Sequence, residues 1–195
     1  INGILFGTMY GIAAIGLSLI FGTMQIIFLA QGTMIILAAF FCFWMFSIYS
    51  IDPYLSLLII IPASLVFGRG FYEVVFRKVA GSKITSLLIA FGLMALLEHL
   101  MTVMWTANTR AIRTNYTAYS ITALGLKISF TRLIAFLISL LSAVGVTLFL
   151  RKTLIGKAVR AASENLVSCR LIGIIPHQVN GMTFAIGIGL AAIAG

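Results

Sequence analysis

No acidic or basic side chain occurs before Asp52, so the first quarter of the chain carries no formal charge. A helix crosses a hydrocarbon core of about 30 Å with about 20 residues, and that uncharged stretch has room for two crossings. The apolar character does not stop there: 62% of residues are hydrophobic and 9% charged, against roughly 45–50% and about 25% for a soluble domain. A cleaved leader followed by a polar mature domain is therefore excluded. The fold class expected is all-α, a polytopic transmembrane helix bundle with about six spans in a single domain over residues 1–195.

The net charge of +9 raises nucleic-acid binding, which needs basic residues gathered on one face with aromatics placed for stacking. Here the cations fall in the gaps between apolar runs: Arg69, Arg77, Lys78 and Lys83, then Arg110, Arg113, Lys127 and Arg132, then Arg151, Lys152, Lys157, Arg160 and Arg170. That distribution is topological and excludes nucleic acid as a partner. The connectors 69–83 and 151–180 are separated by two spans and share a side; their charge density places them in the cytoplasm, with 105–132 outside.

Along the chain, 1–22 reads as a first span in which Gly3, Gly7 and Gly11 line one helix face, where a neighbouring backbone would approach closely. Residues 23–32 interrupt the apolar run with Gln25, Gln31 and Gly32, a turn or broken helix tolerable at membrane depth only when buried in protein. Spans follow at 33–50, ended by Asp52-Pro53, and at 54–68, 84–104 and 133–150. Residues 69–83 read as a basic connector, 105–132 as a loop. The last run, 181–195, covers only about 22 Å, and the reading expects it to stop inside a helix with C-terminal spans missing. Cys42 and Cys169 fall on different levels, which argues against a disulfide.

No metal-ligand cluster, phosphate loop or nucleophile–base arrangement is present in sequence, which argues against an enzyme. Glu98 and His99 lie inside the fourth span, where an ionised group costs at least about 2.5–3.5 kcal/mol unless paired or neutralised. They diverge by about 100° on a helix, so one lines a pathway while the other meets a neighbour; the alternative is solvation of both at the headgroup level near Trp105. Segment 151–176 is different in kind. Lys157, Arg160 and Glu164 form one polar face and Val159, Ala162, Leu166 and Cys169 the other, with Gly173 and Pro176 as a stop. Arg160 and Glu164 form an i, i+4 pair. Such a helix is either a docking element for a soluble partner or an inert linker resting in the headgroups.

The run GKAVRAASEN at 156–165, LIGI at 171–174 and MTFAIGIGLAAIAG at 182–195 resembles the LivH-like permeases of branched-chain amino acid ABC transporters. FG at 21–22 with AQG at 30–32, and FRKVAGS at 76–82, are similar to two further segments of that family. The resemblance implies an importer of the inner membrane, with a second permease subunit, two cytoplasmic ATPases that bind the ATP, and an external solute-binding protein. It implies that Gly156, Arg160, Ala161, Glu164 and Gly173 belong to a cytoplasmic coupling segment: Arg160 and Glu164 contact the ATPase and the glycines permit tight turns. Gln31, Glu98 and His99 are the pathway candidates, and Gly181, Ala185 and Gly189 a packing face. Where the family has Asn and His, this sequence has Phe28 and Gln31, and where it has Gln in the fourth span, this sequence has Glu98. Competing readings are an importer of urea, short amides or sugars, a proton-coupled carrier using Glu98, and an assembly protein without a pathway.

Overall fold

In the computed structural model the described residues are 2–79, 82–105, 112, 120–123, 126–165, 169, 173 and 175–195. Eight α-helices occur among them: α1 (Asn2–Met24), α2 (Gln31–Tyr49), α3 (Pro53–Phe71), α4 (Arg77–Val79), α5 (Lys83–Trp105), α6 (Phe130–Lys152), α7 (Leu154–Glu164) and α8 (Pro176–Ala194). Five helical stretches are long and apolar enough to cross a membrane: Leu5–Met24, Gln31–Tyr49, Pro53–Val79, Ile84–Trp105 and Thr131–Lys152.

The ends follow local chemistry. Ser50, at φ 50°, closes α2 in the left-handed region, and Asp52 with Pro53 opens α3 where the missing proline amide costs nothing. The helix does not stop at 68, as the charge pattern suggested. It runs on through one π-helical turn, Tyr72–Phe76, into α4, so residues 69–79 extend the third span instead of leaving it. An i, i+4 arrangement makes this affordable: Glu73 holds Arg77 at 2.8 Å and Arg69 at 4.0 Å. The segment 105–132 also departs from a pure loop, because β1 (Ser120–Ala123) and β2 (Leu126–Ser129) pair antiparallel, Ser120 opposite Ser129 and Ile121 opposite Ile128. Arg110 and Arg113 lie outside the described residues.

The hub is α8. It starts at Pro176, five residues before the apolar run begins, and packs against α1, α2 and α3. Small residues let the backbones close up: a Cβ on Gly68 would lie 3.0 Å from the Cα of Ala185, one on Gly189 would lie 3.0 Å from Leu65, and one on Gly181 would lie 2.9 Å from the Tyr72 ring. In lipid, where burial alone does not drive helices together, close packing of this kind is what holds a bundle.

The basic connectors share one end of this bundle. Ile84 at the start of α5, Gly22 near the end of α1 and Ser163 of α7 line one cleft there.

Candidate functional site

The break between α1 and α2 lies inside the bundle. Gln31, the first residue of α2, donates from Nε2 to the Gly187 carbonyl at 3.2 Å, and the same Nε2 sits 3.1 Å from where a Cβ on Gly16 would be. Gly16 is eight residues before the end of α1, so α2 starts about 12 Å inside that end. The chain climbs back to this level as an extended segment whose alternate residues Ile26, Phe28 and Ala30 are buried while Gln25, Ile27 and Leu29 are exposed. Gln25 reverses the chain at φ 52°.

Non-helical backbone at this depth is tolerable because protein surrounds it. Phe28 is the wedge: its ring meets Phe184 at 4.9 Å and Phe76 at 5.9 Å, both edge-on. Phe71 stacks on Phe184 at 6.3 Å and closes the group. The sequence offered no spacing signal for this cluster, whose members come from three distant segments: the break at 25–30, the end of the third span and α8. Gln31 is buried, and its Oε1 is enclosed with no hydrogen-bond partner.

Glu98 and His99 are exposed on α5. Their neighbour Leu97 joins the core cluster with Ala30 and Met34. Trp105, seven residues on, stacks on Phe40 at 5.4 Å and meets Phe41 and Trp44 edge-on. Glu98 is therefore near the level of the start of α2, about 10 Å along α5 from Trp105. Neither side chain has a hydrogen-bond or ion-pair partner among the described residues. Gln31 and Glu98 share a level but sit on different faces, one inside and one outside the fold.

The glycines of α1 do not behave as expected within this chain. Nothing comes within 4 Å of a Cβ on Gly3, Gly7 or Gly11; the close approach is at Gly16, where a Cβ would lie 2.9 Å from the Gly187 carbonyl oxygen. A repeat of four marks a face but not what covers it.

Helix α7 is fixed to α6 by a tight corner. Thr153 donates to the Phe149 carbonyl at 2.7 Å and accepts from the Gly156 amide at 3.0 Å. A Cβ on Gly156 would collide with the Phe149 carbonyl and lie 2.5 Å from the Leu150 Cα. The apolar face buries Val159 and Ala162 with Cys169 and Val179; Leu166 lies outside the described residues. Lys157, Arg160 and Glu164 are exposed, and Ala161 is half-buried. The ion pairs among the described residues are those of Glu73, so the expected Arg160–Glu164 pair does not form. Both termini of such a pair are solvated, and Coulomb attraction between exposed ends is too weak to hold two long side chains together. Gly173, at φ 82°, turns the chain towards α8. No group of three His, Cys, Asp or Glu able to hold a metal occurs among the described residues.

A family described as the branched-chain amino acid transport system / permease component matches residues 1–195. The chain belongs to this family. It is a multi-pass membrane permease of the bacterial ABC type, a transport component, and in such systems ATP is bound by separate subunits. The permease protein BraD of the high-affinity branched-chain amino acid transport system of Pseudomonas aeruginosa is 27% identical to this permease over 207 residues. That match covers 100% of this chain and 67% of BraD. The corresponding LivH proteins of Salmonella typhimurium and Escherichia coli are each 23% identical, with the same coverage. No solved structure matches the chain.

Proposed function

We propose that this permease forms, with a second permease subunit, the membrane path of an importer for branched-chain amino acids, driven by two cytoplasmic ATPases and supplied by an external binding protein. The observation that carries this reading is α7: a helix pinned by its apolar face and by the Thr153 corner, whose exposed polar face of Lys157, Arg160 and Glu164 has no ion-pair partner among the described residues. A rigid polar ridge at the basic end is suited to transmit movement from a soluble motor to α6 and α8. The Lys and Arg excess assigns that end to the cytoplasm.

The test is co-purification from native membranes with mass spectrometry. Wild type should retain an ATPase pair and Arg160→Glu should lose it; a lone permease in both samples overturns the reading.

The path itself is assigned to the α5 face bearing Glu98 and His99. An unpartnered carboxyl and imidazole at that depth cannot face lipid at low cost. They face water or the second subunit. In an ATP-driven importer Glu98→Gln should keep uptake within about threefold of wild type, the change costing no energy source. In a proton-coupled carrier the same substitution abolishes uptake, so transport assays in vesicles with and without ATP separate the two. Whether the solute is a branched-chain amino acid or a urea, amide or sugar is decided by competition in the same assay.

A further inference from the structure

The bundle side of α7 carries a second feature that the docking ridge does not use. Between α3, α7 and α8 lies a cavity of about 330 Å³, lined by Arg69, by Leu154, Ile155 and Ala158 of α7, and by Ile175 and Met182 around the start of α8. Arg69 is its cation. The one carboxylate nearby, Glu73, is committed to Arg77 at 2.8 Å and reaches the Arg69 Nη2 only at 4.0 Å, while the Arg69 Nη1 is enclosed and has no hydrogen-bond partner. Two arginines share one carboxylate, and the cavity side keeps an excess positive charge.

The rim is apolar and open: Leu154 is 83% exposed, Ile155 40% and Ile175 47%. Arg151 and Lys152, both exposed, stand at the adjoining end of α6. The polar side chains of the lining are Arg69 and Gln178, and the rest of it is apolar. An amphiphile satisfies both halves, a phosphate for the guanidinium and acyl chains for Leu154, Ile155 and Ile175. On α7 the cavity side (Leu154, Ala158) lies roughly 100° round from the mean direction of Lys157, Arg160 and Glu164, so both surfaces are usable at once.

We propose that this cavity binds the phosphate headgroup of an anionic phospholipid, which wedges between α7 and the spans and sets how firmly α7 is held.

The test uses the complete transporter in nanodiscs of phosphatidylcholine with or without phosphatidylglycerol, with native mass spectrometry counting the lipids that survive detergent exchange. Wild type should retain phosphatidylglycerol in preference to phosphatidylcholine, and Arg69→Gln should lower that retention about fivefold. Arg69→Lys should keep most of it. Ala158→Met leaves the charge and fills the cavity from α7, and should displace the lipid as well, which keeps the proposal testable if Arg69→Gln does not fold. Retention unchanged in Arg69→Gln or in Ala158→Met overturns the proposal. Loss of the lipid to millimolar inorganic phosphate also overturns it, because the site is then one for free phosphate.

Discussion

The corner at Gly156 gives the sharpest test of how α7 is held. Replacing it with alanine adds one methyl, which in an exposed helix gains up to about 1 kcal/mol through helix propensity. Here that Cβ would meet the Phe149 carbonyl, would lie 2.5 Å from the Leu150 Cα and 2.8 Å from its carbonyl carbon, all backbone, where real Cβ contacts do not fall under 3.0 Å. The first turn of α7 must move outward by at least about half an ångström. It carries the Thr153 cap and the seating of Val159 and Ala162 with it. Overpacking of this kind costs about 1–3 kcal/mol, which exceeds the propensity gain over most of that range. The cost falls on the joint between α6 and α7, because the nearest atoms to the new methyl all belong to the last turn of α6. Gly156→Ala should therefore insert normally and keep its melting behaviour in detergent, yet lose ATPase retention and uptake severalfold. Gly145→Ala on α6, where a Cβ meets nothing within 4 Å, is the matched control and should behave as wild type. Full ATPase retention and uptake in Gly156→Ala would refute the argument that this corner positions the helix.

Gly16→Ala should destabilise the bundle itself by about 1–3 kcal/mol, since its methyl would press on the Gly187 carbonyl and on the Gln31 amide that bonds to it; thermal unfolding in detergent reads this directly, and an unchanged transition would contradict it. Trp105→Ala removes three aromatic contacts, to Phe40, Phe41 and Trp44, at about 0.5–1.5 kcal/mol each. Ala90 and Leu97 still tie the rest of α5 to the core, so limited proteolysis or hydrogen exchange should show the Trp105 end of α5 loosened while α1, α3 and α8 stay protected.

The spans, the basic end and the two faces of α7 were legible in the sequence because they depend on local quantities. A run of about 20 apolar residues must cross lipid whatever its neighbours do, and a residue's face on a helix follows from its spacing. The break at 23–32 was legible for the same reason, as polar side chains interrupting an apolar run. Its depth was not. The six residues between α1 and α2 could have lain at the surface, and only the packing of Phe28 against Phe76 and Phe184, with the Gln31 bond to Gly187, draws them about 12 Å inward. Charge misled at Arg69 and Arg77, where a carboxylate one turn away from each let the helix continue. A stripe such as Gly3, Gly7 and Gly11 has the same spacing whether or not a neighbour covers it: within α1 the short distance fell to Gly16, outside that stripe, whereas Gly181 and Gly189 of α8 do meet close neighbours. The sequence by itself determined which segments cross the membrane and which end is basic, since transfer free energy is summed residue by residue along the chain. The tertiary structure decided which glycines are crowded, which polar groups are enclosed and at what level Glu98 stands, since those depend on distances between segments far apart in the chain.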